Sequence, residues 1–139
     1  MSNLSPEDSS RSLNWLLGWA PGKPPHPTPL VGRAEEALAT PLNELTVEQI
    51  RLLIAQGLGL ELVLPKALAL LQRDLFVSGD FFDGDLLLSC LKISGDFWEK
   101  NPDLWVELNA LLTGFDEKVD LVNEHRSVFF SHNPFGARQ

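Results

Sequence analysis

The chain has a single cysteine, Cys90, among its 139 residues. No internal disulfide can form, and nothing suggests an oxidised, secreted framework. No stretch reaches the roughly 20 apolar residues of a membrane span. The opening MSNLSPEDSSRSLNW lacks the basic start and apolar run of an export signal. These absences point to a cytoplasmic protein. Enzyme signatures are missing too: there is no GxSxG elbow, no phosphate loop of the GxxxxGK type, no GxGxxG fingerprint and no HExxH zinc pair. The three histidines, His26, His125 and His132, are dispersed and have no cysteine pair near them, so neither a metal nor a cofactor is expected.

What is present is an ordinary globular balance, 44% hydrophobic and 22% charged residues, in a chain long enough for one self-sufficient core. The formal net charge is −8, and it is unevenly spread. From Asp80 to Glu124 eleven acidic residues face only Lys92, Lys100 and Lys118, while the remaining acids and bases balance at eight each. Such a field repels nucleic acid and steers basic partners toward the chain. It also serves plain solubility.

Residues 1–10 read as a flexible start, and residues 11–139 as one helical domain. A short helix follows at Leu13 to Trp19, ended by Gly18 and by the five prolines of Pro21 to Pro29, which lack amide donors and impose an extended strap. A PxxP ligand is the other reading of that strap. Leu30 to Ala39 forms a brief helix that stops before Pro41. Thr46 and Gln49 have capping-box spacing for a helix over residues 46–56, closed by Gly57. The next segment is apolar nearly all round, which suits the centre of a bundle. Its Pro65 would cost roughly 3 kcal/mol in a helix interior, so the expected start is near Val63, with Pro65 in the first turn.

Residues Ser78 to Asp85, SGDFFDGD, read as a loop whose Phe81 and Phe82 plug the core, with Asp83 or Asp85 capping a helix that carries Leu86, Leu87, Cys90 and Leu91. Counted as a calcium loop from Asp80, the twelfth residue is Leu91 rather than glutamate, so the pattern fails. Acid–base chemistry by Asp80, Asp83 and Asp85 is conceivable, but aspartates beside glycines are the ordinary residues of turns and caps. Cys90 lies on an apolar helix face and reads as a core thiol. Ser94 is expected to cap a turn with Phe97 and Trp98, and Asn101 a helix with Pro102 at its first position, ended by Gly114. A last helix from Asp116 to His125 is expected to bury Phe115, Val119 and Val122, after which VFFSHNPF packs back as an aromatic arm. The expected fold is therefore all-α, a single compact domain of six or seven short helices with little or no sheet.

Carboxylates recur at four-residue spacing at Asp103 and Glu107 and again at Asp116, Asp120 and Glu124, with Glu117 beside them. Like charges so placed cost a few tenths of a kcal/mol per pair, which a solvated helix face tolerates. The alternative is a pad for the lysines and arginines of a partner.

The stretch from Pro41 to Trp98, PLNELTVEQIRLLIAQGLGLELVLPKALALLQRDLFVSGDFFDGDLLLSCLKISGDFW, resembles the helical immunity proteins of bacterial contact-dependent growth inhibition (CDI) systems. Leu45 to Gln56, Gly57 to Leu71, Gly79 to Leu91 and the closing Phe97–Trp98 carry the likeness, and RSLNWLLGW is similar to the family's opening. Phe82 and Asp83 stand where the family has tyrosine and proline, and a glutamate expected after Leu68 is absent. The resemblance implies a scaffold motif made of Leu45, Leu53, Gln56, Gly59, Leu60, Pro65, Ala67, Leu68, Gly79, Asp80, Phe81, Gly84, Asp85, Leu86, Leu87, Phe97 and Trp98. It further implies a non-enzymatic inhibitor that binds, one to one, the toxin domain of a matching effector. A nuclease toxin would be basic, and Asp103, Glu107, Asp116, Glu117, Asp120 and Glu124 are the residues expected to meet it. No direct contact with nucleic acid or membrane is implied. A helical adaptor without a toxin partner and an enzyme using the DFFDGD carboxylates are the competing readings.

Overall fold

A computed structural model of the chain describes residues 6–20 and 29–136. The described residues form eight α-helices and one 3-10 turn, with no strand beyond two isolated bridges, Ser12 to Pro41 and Ser78 to Asp83. The helices are α1 (Pro6–Ser9), α2 (Leu13–Leu17), α3 (Pro29–Leu38), α4 (Val47–Gln56), α5 (Leu60–Arg73), α6 (Asp85–Leu91), α7 (Gly95–Lys100) and α8 (Pro102–Ser131), with the 3-10 turn at Leu42–Glu44. The all-α expectation holds. One helical turn occupies residues 6–9 of the polar start, while residues 1–5 and the proline strap at 21–28 lie outside the described residues.

Helix α4 is built as its sequence dictates. The Thr46 hydroxyl accepts from the Gln49 backbone N–H at 3.1 Å, the Gln49 side chain accepts from the Thr46 N–H at 3.0 Å, and Gly57 closes the helix. Reciprocal capping satisfies two amides that would otherwise be orphaned. Its Ile50, Leu53 and Ile54 pack with Val63, Leu64, Ala67 and Leu71 of α5 and with Leu86, Leu87 and Cys90 of α6. Leu13 from α2, Ala37 and Leu38 from α3, and Leu104 and Leu108 from α8 close this leucine-rich core. Helix α4 is its hub, in contact with α3, α5 and α6.

Three expectations are corrected. Helix α5 starts at Leu60, not near Val63, so Pro65 sits inside it. The donor that Pro65 lacks would have served the carbonyl of Glu61, an exposed residue that water reaches. Second, α8 runs unbroken through Gly114 for 30 residues and absorbs both the expected final helix and part of the aromatic tail. A single glycine costs about 1 kcal/mol in a helix, and no proline follows it to force a stop. Third, the tail does not fold back: Val122 is exposed, Phe129 is 74% exposed, and Phe115 and Val119 are half-buried. The Phe115 and Phe76 rings meet edge to face with their centres 5.3 Å apart. Beyond Asp120 every residue of α8 is exposed, so its C-terminal end stands away from the body.

Removing residues 123–139 should therefore leave the thermal midpoint within about 2 °C, whereas Leu64→Ala, in the fully buried centre of α5, should cost about 2–5 kcal/mol. Thermal and urea unfolding followed by circular dichroism measures both.

Candidate interaction surface

The loop between α5 and α6 is held by a buried carboxylate. Asp85 is 3% exposed; its Oδ1 accepts from the Gly79 N–H at 2.6 Å, and its Oδ2 from the N–H groups of Phe81 and Phe82 at 3.0 and 3.4 Å. Gly84, with φ 93°, takes the N-cap position of α6, a left-handed conformation that favours glycine. Asp85 is thus the first helical residue. Its side chain caps the loop and not the helix, contrary to the expectation that Asp83 or Asp85 would be the cap.

A second carboxylate ties the loop to α4. Glu48 Oε1 accepts from the Asp80 N–H at 2.9 Å and from Arg51 Nε at 2.7 Å, and Oε2 accepts from Arg51 Nη2 at 2.6 Å. This two-pronged ion pair is largely shielded from solvent and matches the planar fork of arginine to a carboxylate. The Arg51 guanidinium lies 4.6 Å from the centre of the Phe81 ring, within cation–π range. A side chain at Gly79 would come within 2.6 Å of Glu48 Oε1 and 3.0 Å of Asp85 Oδ2. Both oxygens are already engaged, so only glycine fits without loss of these bonds.

The clip turns the loop's rings outward. Phe81 is 61% and Phe82 52% exposed, and Asp80 and Asp83 beside them are exposed as well. This overturns the expectation that the two rings plug the core. The outward turn follows from the clip: the amides of 79, 81 and 82 point in at Asp85, and Phe81 stacks on Arg51 rather than on leucines.

The six carboxylates of α8 are all exposed. At about 100° per residue, Asp116, Glu117, Asp120 and Glu124 fall on the side of α8 turned away from the Leu104–Leu108–Leu111–Phe115 stripe. Asp103 and Glu107 stand roughly 20 Å or more from Asp120 along the axis. Glu107 borders a shallow groove with Pro65, Leu68, Ala69, Gln72 and Ala110. The structure therefore separates the six residues into two groups on one helix.

Of the scaffold residues, Leu53, Ala67, Leu68, Gly84, Asp85, Leu86 and Leu87 are buried, and Leu45, Gly59, Leu60, Pro65, Gly79, Phe97 and Trp98 half-buried. Gln56, Asp80 and Phe81 are exposed. Glu48 and Arg51 escaped the sequence reading. Their three-residue spacing on α4 is the only signal they carry, and the bond to Asp80, 32 residues away, has none. Neither Ser94 nor Asn101 caps with its side chain, and the Asn101 amide donates instead to the Phe97 carbonyl at 3.0 Å.

Burial pushes the Cys90 thiol up to about 12, so it stays protonated at neutral pH and is no nucleophile. Among the described residues no group of three or more histidine, cysteine or carboxylate side chains is placed to hold a metal ion, and no helix is long and apolar enough to cross a membrane. What the arrangement offers is a firmly held, acidic surface with protruding rings.

The family model of the CDI immunity proteins matches residues 19–108, well over half of the chain. The chain belongs to the CDI immunity proteins. No curated protein and no solved structure matches it. Family membership assigns the general role: neutralising a CDI toxin by binding it. The match to this immunity family takes in the whole of α3 to α7 and the loop clip, and ends within the first two turns of α8.

The clip sets a pH dependence. Burial raises the Asp85 carboxyl, but the N–H groups of Gly79, Phe81 and Phe82 and the charge of Arg51 outweigh it and hold the group below its ordinary 3.8. The hydrogen bonds of Arg51 hold Glu48 below its ordinary 4.5 against burial. Both groups ionise more readily folded than unfolded, so their stabilisation is complete above the unfolded values and is lost as pH falls through the lower folded ones. Asp85→Asn should lower stability by about 1–3 kcal/mol near neutral pH and flatten the fall below about pH 4; urea titrations across that range read both effects.

Proposed function

We propose that this immunity protein binds the C-terminal toxin domain of the effector encoded beside it, as one monomer per toxin in the cytoplasm and without a cofactor. We further propose that this toxin is a nuclease. A nuclease needs a cationic surface to hold phosphates. An acidic chain that occupies or borders that surface excludes the substrate by charge and by bulk. The observation that carries this reading is the concentration of charge: residues 80–124 hold the whole net −8, and Asp103, Glu107, Asp116, Glu117, Asp120 and Glu124 all meet solvent on α8. Opposite fields speed encounter and suppress wrong partners, and their effect is screened by salt.

Two measurements test it. Cells producing the neighbouring toxin domain should survive when this chain is co-expressed and die when it is not. The triple variant D116K/E117K/D120K should associate with that domain about tenfold more slowly at low ionic strength, with the gap closing as salt is added. Unchanged association kinetics would remove the acidic face of α8 from the account, and absence of protection would remove the toxin itself.

A further inference from the structure

Within the toxin-binding reading, on which this inference rests, the contact still needs an anchor. Charge on a solvated helix accelerates encounter, whereas affinity comes from a few rigid, desolvated groups, aromatic ones above all. Three exposed apolar regions lie in or beside the acidic segment that would draw a basic partner and compete for that part. The free end of α8 displays Leu121, Val122 and Phe129, but Lys118 and Arg126 stand on the same side at helical spacing, so a basic partner would meet cations there. The Leu91, Trp98 and Trp105 groove between α6, α7 and α8 is small, about 120 Å³, and contains no carboxylate.

The third is the clipped loop. Phe81 and Phe82 are exposed side by side and bracketed by the exposed carboxylates of Asp80 and Asp83. The backbone that carries the rings is tied at four consecutive residues, 79 and 80 to 82, by Asp85 and Glu48. Ordering two aromatic side chains at an interface ordinarily costs part of the binding free energy. Here the backbone is ordered before the partner arrives, and Phe81 is already seated on Arg51. Burying two phenylalanines without such a role would have been simple in a core so rich in leucine; the clip instead commits a buried aspartate and a largely shielded ion pair to keeping them out. We infer that Phe81 and Phe82 are the preorganised hydrophobic anchor of the toxin contact, entering an apolar hollow of the toxin domain whose lysine or arginine rim pairs with Asp80 and Asp83.

The probe is the purified C-terminal domain of the effector encoded immediately beside this chain, with binding followed by calorimetry across ionic strengths and self-association by light scattering. The double variant F81S/F82S should keep its fold, since the loop enters the clip through backbone amides and the variant removes only the exposed stack on Arg51, and bind about a hundredfold more weakly. D80N/D83N should bind about tenfold more weakly with a shallower salt dependence. If F81S/F82S does not fold, Phe82→Ser alone, which leaves the Arg51 stack intact, should still lose about tenfold. Toxin binding by F81S/F82S as tight as that of the unaltered chain overturns the anchor and leaves the toxin reading standing. A dimer of this chain that F81S/F82S dissociates without weakening toxin binding overturns it too, since the rings would then serve a second copy. Failure of the unaltered chain to bind the toxin domain overturns both.

Discussion

The carboxylate of Asp85 sits at the junction of the core and the surface. Its backbone begins α6, whose Leu86, Leu87 and Cys90 fill the core. Its two oxygens draw in three amides of the preceding loop. A buried carboxylate is stable only when its oxygens are satisfied, so the loop has little freedom to do otherwise. Gly79 is needed because the oxygens crowd it, Gly84 because the chain must turn at positive φ into α6, and Glu48 with Arg51 because the loop must also be fastened to α4. The outward pose of Phe81 and Phe82 is a consequence of these constraints rather than a separate design.

Much of the fold is legible in the sequence, and the reasons are local. Thr46, Gln49 and Gly57 mark both ends of α4 by capping chemistry that depends on neighbours within four residues. The leucine spacing of α5, α6 and early α8 identifies the core. What resists reading is non-local or marginal. Gly114 looks like a terminator, yet one glycine is a small penalty against a helix anchored by Leu104, Leu108 and the Phe115–Phe76 contact. Phe81 and Phe82 look like core residues because hydrophobicity predicts burial, and it is the Asp85 bonds to the loop amides, together with the distant bond between Glu48 and Asp80, that turn the loop the other way. The carboxylates of α8 are legible as exposed acids, but their division between the body and the free end depends on the helix continuing past Gly114.

Charge and shape divide the surface into two kinds of element. The acidic side of α8 is long, solvated and without fixed partners, which suits long-range attraction. The clipped loop is short, rigid and aromatic, which suits close contact. Both belong to the segment from Asp80 to Glu124 that carries the net charge of the whole chain. In the toxin contact proposed above, these two elements divide the work: the helix sets the rate of arrival and the loop the rate of departure.

The most direct test of this account is a crystal structure of the chain bound to the neighbouring toxin domain. The account predicts that the Phe81 and Phe82 rings are buried in the toxin, with cationic toxin side chains against Asp80 and Asp83 and the Asp85 clip unchanged. A complex in which both rings remain in solvent, with the toxin seated on another face of the bundle, would contradict it.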